Sequence, residues 1–273
     1  MSKLTKAQAK AHARAVAVLE KHELTDDERE FVIENWQESA QHINSAAGAF
    51  FTPLELARSF ATEVGGGRII DLCAGIGCLS YAVSQHLARV GHEITCVEIN
   101  PAYVEVGRKI VPQATWIVAD ALAANDLGLG RFDVAISNPP YGAVKRERSA
   151  PRYRGREFEY HLIDVASDIA GYGVFIVPHM SAGFRYSGAP AGGWPNTIRD
   201  GAGSDYFREP DSRARDFERR TGFLIEPSCG IDTSFADRLW RGVAPRTEIV
   251  TVDFDAAQRE RAPAQSDLFG AAA

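Results

Sequence analysis

The sequence predicts an α/β fold built on a mostly parallel sheet. Between about residues 68 and 177, short apolar segments rich in strand-forming residues alternate with segments of helical periodicity. A glycine turn at residues 73–77 follows the first such strand, and a pair of prolines stops another. Strands that alternate with helices form parallel sheets, which keep their ligands at the carboxyl ends of the strands. With 273 residues, 45% of them apolar, the chain has room for one large or two small domains.

Composition and charge are those of an ordinary soluble protein, with 24% charged residues and a formal net charge of −6. The acidic balance argues against non-specific coating of nucleic acid, but it does not exclude a local basic groove. No apolar run is long enough to span a membrane. The basic, alanine-rich N-terminus predicts a helix rather than a signal peptide. The four cysteines form no CxxC pair, so we expect reduced thiols, no metal site and a cytoplasmic location.

Residues 1–47 are predicted to form a helical N-terminal extension. Within it, Thr25 is placed to cap a helix whose third residue, Glu28, completes a capping box.

A second helix start follows at Phe51-Thr52-Pro53. Thr52 is a good N-cap, Pro53 is a good first helical residue, and Glu55 would complete a second capping box. We expect this helix to continue to about Val64. Its N-terminus is suited to a carboxylate ligand, because unpaired backbone N–H groups and the helix dipole both favour negative charge.

The next segments predict a βαβ unit. A strand at residues 68–72, which includes Asp71, leads into the turn Cys73-Ala74-Gly75-Ile76-Gly77, a helix follows, and a second strand ends at Glu98. Glu98 lies 21 residues after Gly77, where a carboxylate that binds ribose hydroxyls belongs. Several nucleotide-like cofactors contain ribose, so Glu98 alone does not name the cofactor. Asp120, after a third strand at residues 115–118, is either a ligand-binding residue or a helix N-cap.

The Asn-Pro-Pro-Tyr segment (Asn138, Pro139, Pro140 and Tyr141) follows a strand predicted at residues 132–137. Neither proline has an N–H group to donate, so the strand must stop and a rigid loop must begin at its carboxyl end. The loop presents an amide side chain, outward carbonyl groups and a flat aromatic ring. These groups suit one task, which is to hold a planar group that carries an NH2.

The segment from residue 142 to 157 is strongly basic. It contains six cations against Glu147 and Glu157, a local charge of +4. The cations are Lys145, Arg146, Arg148, Arg152, Arg154 and Arg156. A basic loop beside a catalytic pocket is what a phosphate backbone would require, whereas the alternative is a solvated charged loop.

The rest of the chain continues the alternation and then becomes polar. Residues 183–215 are predicted to form an insertion rich in glycine, proline and aromatic residues, and the last two strands are expected at residues 223–225 and 247–254. Residues 255–273 are predicted to be a flexible tail. Within it, the five-residue segment 265–269, with Gln265, Leu268 and Phe269, resembles the short peptide that docks bacterial replication proteins on the sliding clamp. A match of five residues can also arise by chance.

Taken in this order, Phe-Thr-Pro, the glycine turn, Glu98, Asp120 and the Asn-Pro-Pro-Tyr segment resemble S-adenosylmethionine-dependent DNA adenine-N6 methyltransferases of the gamma motif order. The resemblance spans residues 48–254, with substrate-binding insertions near 142–160 and 183–215. It implies a Rossmann-like fold with a seven-stranded sheet and an antiparallel edge. The cofactor-binding residues it implies are Phe51, Thr52, Pro53, Asp71, Ala74, Gly75, Gly77, Glu98, Ile99, Asp120, Ala121 and Asn138. Asn138, Pro139, Pro140 and Tyr141 would act on an adenine flipped out of duplex DNA.

Three other functions stay open. Asn-Pro-Pro-Tyr also occurs in enzymes that methylate adenine in ribosomal RNA or the glutamine amide of release factors, and all of these substrates present a planar NH2. The basic segment favours nucleic acid, and the clamp-like peptide favours DNA in a bacterial, phage or plasmid setting. A non-enzymatic nucleic-acid-binding scaffold is the third alternative.

Overall fold

The computed structural model describes residues 5–37, 51–190, 198–199, 205–208, 212–241 and 245–261. Its strands are β1 Gly67–Leu72, β2 His92–Glu98, β3 Thr115–Val118, β4 Phe132–Ser137, β5 Ala170–Pro178, β6 Phe184–Arg185, β7 Ile198–Arg199, β8 Asp205–Arg208, β9 Glu226–Pro227 and β10 Thr247–Asp253. Its α-helices are α1 Lys6–Leu19, α2 Asp26–Asn35, α3 Leu54–Ala61, α4 Cys78–His86, α5 Pro101–Ile110, α6 Phe158–Ile169, α7 His179–Ala182, α8 Arg213–Thr221 and α9 Phe254–Arg261. Two 3-10 helices cover Ala121–Leu127 and Thr233–Arg238.

The described strands form a seven-stranded sheet in the order β3-β2-β1-β4-β5-β10-β9 and a small sheet in the order β6-β8-β7. β1 to β5 pair in parallel, and β10 runs antiparallel to both β5 and β9. The predicted α/β class, with its mostly parallel sheet and antiparallel edge, is therefore confirmed. The chain moves from β1 outward to β3 and then crosses back to β4 on the other side of β1. This reversal opens a crevice between the carboxyl ends of β1 and β4, where ligands bind in such sheets.

Side chains of β1 show how the sheet is covered on both faces. Ile69 belongs to a core cluster formed with α3, α4 and α5, whereas Ile70 and Leu72 belong to a second cluster formed with α6 and α8. Successive side chains of a strand point to opposite faces. Burial on both faces explains why consecutive residues of β1 and β5 are buried rather than every second one.

The N-terminal helices are joined to the wall of the crevice. The predicted capping box is present, because Thr25 and Glu28 exchange side-chain and backbone hydrogen bonds. Trp36, which follows α2, packs edge to face against Phe51 and Tyr103, each at 5.8 Å between ring centroids. Arg241 donates hydrogen bonds to backbone carbonyls at the end of α2 and so ties this helix to the chain before β10. The extension thereby supports Phe51 from behind.

The C-terminal part differs from the prediction in two places. Phe223 and Ile225 are fully buried core residues, and the short strand that pairs with β10 is β9, just after the predicted strand. The backbone N–H of Ile225 donates to Glu218 over 3.2 Å, so this residue is held by α8 rather than by the sheet ladder. The tail predicted from residue 255 instead begins as helix α9, which the buried Phe254 anchors.

Two other sequence predictions involve residues beyond the described part of the chain. The clamp-like residues Gln265, Leu268 and Phe269 lie outside it, as does part of the insertion at 183–215. Within the described residues, no helix combines the length and the apolar character that a membrane crossing requires.

Candidate active site

The Asn-Pro-Pro-Tyr segment begins directly where β4 ends. Its Asn138 side chain donates from Nδ2 to the Thr52 hydroxyl over 2.8 Å. On the other side, the Tyr141 hydroxyl donates to Asn138 Oδ1 over 2.5 Å. An amide has distinct donor and acceptor ends, so these two bonds fix which way round the Asn138 amide is held.

Thr52 has a different role from the one its sequence context predicts. The first residue of α3 is Leu54, Pro53 occupies the N-cap position, and no side chain caps the helix. The Thr52 side chain is buried and accepts from Asn138 instead. The predicted capping box is therefore wrong, because a contact with a distant segment has taken the hydroxyl that a local cap would use.

The glycine turn after β1 forms the floor of a pocket with about 300 Å³ of empty space, its open mouth included. Three of its residues adopt positive φ: Cys73 at 60°, Gly75 at 58° and Gly77 at 86°. Such a conformation is uncommon for a residue with a side chain, and strain of this kind gathers at ligand sites. A Cβ at Gly75 would make only an ordinary contact with Phe51, at 3.6 Å, so the positive φ rather than a lack of space favours glycine there.

The pocket brings together residues from three parts of the chain. It is lined by the predicted residues Phe51, Thr52, Asp71, Ala74, Gly75 and Asn138, and by Cys73, Ile76, Cys78 and Leu79. The last four were missed because side chains of the glycine turn (Cys73, Ile76) and of the first turn of α4 (Cys78, Leu79) give no chemical signal of their own. The other predicted cofactor residues, Pro53, Gly77, Glu98, Ile99, Asp120 and Ala121, are not part of this lining.

The acidic residues at the strand ends are buried and close together. Glu98 accepts from the backbone N–H groups of Gly75 at 2.9 Å and Asn100 at 2.8 Å, which orients its carboxylate at the rim of the turn. Burial raises the pKa of Glu98, and these backbone bonds oppose that rise. Burial also raises the pKa of the Cys73 thiol well above its usual range, and the charges of Glu98, Asp120 and Asp71 add to the effect.

Asp71 is the pocket residue with an unsatisfied acceptor. Its Oδ2 accepts from the Ser80 hydroxyl over 2.6 Å, while its buried Oδ1 has no hydrogen-bond partner among the described residues. Burial is the main cause that raises the pKa of Asp71 to about 7. The bond from Ser80 opposes this rise, and the nearby charge of Glu98 contributes to it. A cationic group in the pocket would satisfy this oxygen.

The ends of β2 and β3 carry an apolar pair beside the turn. Ile99 is 65% exposed and Val118 is 51% exposed, although both sit at the carboxyl ends of adjacent strands. Asp120 accepts from the backbone N–H of Leu122 over 2.9 Å and caps the following 3-10 helix. Asp120 is therefore a helix N-cap, and its role in cofactor binding stays a prediction. The exposed Val118 was not among the predicted site residues.

The basic segment is folded onto α6 rather than extended into solvent. Arg146 and Arg154 donate to backbone carbonyls within the segment, and Arg148 pairs with Asp126. Arg152 pairs with Asp164 and Asp168 of α6. Four of the six predicted phosphate-binding cations thus bond within the protein through their side chains, whereas the exposed side chains of Lys145 and Arg156 form no hydrogen bond or ion pair with the described residues.

With the fold and the pocket in place, comparison with known proteins defines the class. The type I restriction-modification system methyltransferase subunit from Streptococcus thermophilus superposes with a TM-score of 0.53 at 16% identity, covering 84% of this chain and 48% of that one. A likeness at this identity establishes the fold alone. The fold is the Rossmann-like one of S-adenosylmethionine-dependent methyltransferases.

Sequence comparison agrees with this class. Residues 39–151, about two fifths of the chain, match the model of the methyltransferase small domain. Ribosomal RNA small subunit methyltransferase C of Enterobacter sp. (strain 638) is 32% identical over 77 residues, which is 28% of this chain and 22% of that protein. Release factor glutamine methyltransferase of Mycolicibacterium smegmatis is 36% identical over 77 residues, 27% of each. The chain thus aligns with about a quarter of the length of these curated relatives, and the matches support a methyltransferase with S-adenosylmethionine as its cofactor.

Proposed function

We propose that this chain transfers a methyl group from S-adenosylmethionine to the N6 amino group of adenine in DNA. One observation carries the proposal: the Asn138 amide is held between Thr52 and Tyr141 at the edge of the glycine-turn pocket. An oriented amide at the mouth of a cofactor pocket is the arrangement needed to present an NH2 group.

The residues of the pocket suit this cofactor. Asp71 lines the pocket, and its buried Oδ1 has no hydrogen-bond partner among the described residues; a carboxylate of this kind suits S-adenosylmethionine, which carries an ammonium group and a sulfonium. The strained turn from Cys73 to Gly77 lets backbone approach a ligand closely. Glu98 retains free lone pairs for ribose hydroxyls, and the apolar pair of Ile99 and Val118 offers two surfaces to a flat ring.

Orientation of the amine is the chemical task of the Asn-Pro-Pro-Tyr segment. An exocyclic amino group on adenine is a poor nucleophile because its lone pair is delocalised into the ring. Asn138 Oδ1 and the Pro139 carbonyl would accept its two protons and favour a pyramidal nitrogen. When bound, the cofactor supplies an electrophilic methyl group with a good leaving group. Positioning can contribute up to about 7–11 kcal/mol in ideal cases, so no side chain is required as a general base.

Tyr141 is suited to hold an extrahelical base. Extraction of an adenine from a duplex costs about a few kcal/mol, and stacking on an aromatic ring returns roughly 1–3 kcal/mol per base. The hydroxyl bond to Asn138 holds the edge of the Tyr141 ring, and stacking of the extracted base on this ring is the role proposed for it. DNA is further favoured by the exposed cations Lys145 and Arg156 in the basic segment that follows Tyr141.

A second candidate function is methylation of RNA adenine or of a protein glutamine amide. It is favoured by the curated relatives, which are named for ribosomal RNA and for a release factor and are 32–36% identical over 77 residues. Both substrates present a planar NH2, so the same site would serve.

Incubation with labelled S-adenosylmethionine and, separately, duplex DNA, ribosomal RNA or protein would test the proposal. Nuclease digestion of labelled polymer should release N6-methyldeoxyadenosine from the DNA reaction. Label confined to RNA or to protein glutamine would replace DNA by the second candidate, and no transfer to any substrate would contradict both.

A further inference from the structure

A buried carboxylate lies behind the Asn-Pro-Pro-Tyr segment and takes no part in the chemistry described above. Glu159, in the first turn of α6, is 1% exposed. Its Oε2 accepts from the backbone N–H of Gly142 over 2.8 Å, and its Oε1 accepts from the Ser181 hydroxyl over 2.7 Å. Each oxygen of the Glu159 side chain therefore binds a different segment of the chain.

Gly142 is the residue directly after Tyr141, with φ of 75°. Its carbonyl accepts from the backbone N–H of Phe158 over 2.8 Å, so α6 holds both polar backbone groups of Gly142. Because the peptide bond is planar, a fixed Gly142 N–H also fixes the carbonyl of Tyr141. The contact with Glu159 thus limits where the Tyr141 backbone, and with it the ring bonded to Asn138, can lie.

Ser181 belongs to α7, which directly follows β5, the parallel neighbour of β4. Its backbone carbonyl accepts from the Tyr160 hydroxyl over 2.8 Å. The first turn of α6 therefore holds the loop after β4 and helix α7 after β5 together. These two segments follow the adjacent strands β4 and β5, on the side of β4 away from β1 and the glycine turn.

The energetics favour a positioning role over a purely structural one. Burial of a carboxylate costs several kcal/mol unless hydrogen bonds compensate, and burial raises the pKa of Glu159 against the bonds from Ser181 and Gly142. An apolar side chain could fill the same space without this cost. An apolar side chain could not accept hydrogen bonds from Gly142 and Ser181 at the same time.

We propose that Glu159 is a positioning residue for methyl transfer. Through its bonds with Gly142 and Ser181, Glu159 holds the Asn-Pro-Pro-Tyr segment and helix α7 in one arrangement. The inference rests on the proposed function for its kinetic consequence, but its structural content is independent of the substrate.

The test compares Glu159→Ala and Glu159→Gln with Glu157→Gln as the matched control. Glu157 is a partly buried carboxylate two residues earlier that accepts from Tyr153 and leaves Gly142 untouched. In the Ala variant, kcat should fall about 10- to 100-fold, the scale expected from a misplacement near 1 Å, while the KM and Kd for S-adenosylmethionine stay within twofold. The Gln variant should recover kcat to within about threefold, because its amide can still accept from Gly142 and donate to Ser181.

A second readout does not depend on activity. Amide hydrogen exchange over residues 138–142 should be at least tenfold faster in Glu159→Ala than in the wild type, and unchanged in the control. If Glu159→Ala does not fold, Glu159→Asp and Ser181→Ala carry the same two readouts, since each loses part of the double contact. Unchanged kcat together with unchanged exchange would overturn the inference. A wild type that methylates no substrate would instead refute the proposed function, and the exchange arm would still decide the role of Glu159.

Discussion

The side chain of Asn138 donates a hydrogen bond to the Thr52 hydroxyl over 2.8 Å. The bond connects the segment before α3 with the loop after β4, and both line the glycine-turn pocket. Because Nδ2 of Asn138 donates to Thr52, Oδ1 of the same amide lies toward Tyr141 and accepts from its hydroxyl. The acceptor end of Asn138 is thus oriented before any substrate binds.

Thr52→Val should lower kcat about tenfold with little change in the Kd for S-adenosylmethionine. Valine keeps the shape of threonine but removes the acceptor, so the Asn138 amide can turn. Thr52→Ser keeps the hydroxyl and should stay near wild-type activity. Steady-state kinetics and calorimetric titration of the cofactor measure both quantities, and a fully active Val variant would show that this bond does not orient Asn138.

Cofactor binding should weaken as the pH falls through about 7, the pKa to which burial raises Asp71. Above this pH the carboxylate is ionised and attracts a cationic ligand, whereas below it the neutral acid does not. Titration calorimetry between pH 6 and 8 should show Kd rising toward acid in the wild type. Asp71→Asn should bind weakly with no such trend, and the same trend in that variant would assign the effect to another group.

Asp71 also predicts how stability depends on pH. A carboxyl group with a raised pKa binds its proton more tightly in the folded state than in the unfolded state. Ionisation of Asp71 therefore lowers the free energy of unfolding as the pH rises above about 4, its pKa in the unfolded chain, and the loss is complete above about 7. Asp71→Asn should therefore increase the free energy of unfolding at pH 8 by up to about 4 kcal/mol, from roughly three pK units at 1.36 kcal/mol each. Urea unfolding at pH 8 and pH 5 checks this, since the gain should be smaller at pH 5.

Gly107→Ala should destabilise the protein although alanine is the better helix former. A Cβ at Gly107 would lie 2.1 Å from the ring of Trp116, which also lies under Gly77 of the glycine turn. Overpacking of this kind costs about 1–3 kcal/mol. Gly91→Ala is the matched control, because nothing lies within 4 Å of a Cβ there. Equal unfolding midpoints for the two variants would contradict the packing described here.

The cations of the basic segment should separate into two classes. Arg152→Ala should destabilise the fold by about 3 kcal/mol, because it leaves the fully buried Asp164 without its ion pair, and it should leave the KM for DNA unchanged. Lys145→Ala and Arg156→Ala should leave stability unchanged, raise the KM for DNA and reduce the slope of log K against log salt by about one each. If Lys145 and Arg156 have no effect on DNA binding, phosphate contacts must come from another surface.

Sequence patterns were sufficient where a local rule decides the structure. Two prolines end β4 at Ser137 as predicted, and the glycine turn follows β1 because glycine tolerates the positive φ at positions 75 and 77. The alternation of strands and helices was enough to predict the parallel part of the sheet, whereas its antiparallel edge was implied by the family resemblance.

Sequence patterns failed where a distant partner decides the structure. The capping-box pattern at Thr52 is local, whereas Asn138 is 86 residues away. The charge of the basic segment is visible in the sequence, but the acidic face that α6 presents to Arg152 is not. No sequence pattern marked Glu159, because its two hydrogen-bond partners, Gly142 and Ser181, come from separate segments of the chain.

The most direct measurement of the central claim is methyl transfer by Asn138→Ala, with cofactor binding measured on the same sample. We expect kcat to fall at least a thousandfold, because the oriented acceptor is lost, while the Kd for S-adenosylmethionine stays within a few-fold of wild type. Near-normal turnover by Asn138→Ala would show that this side chain does not present the amine to the methyl donor.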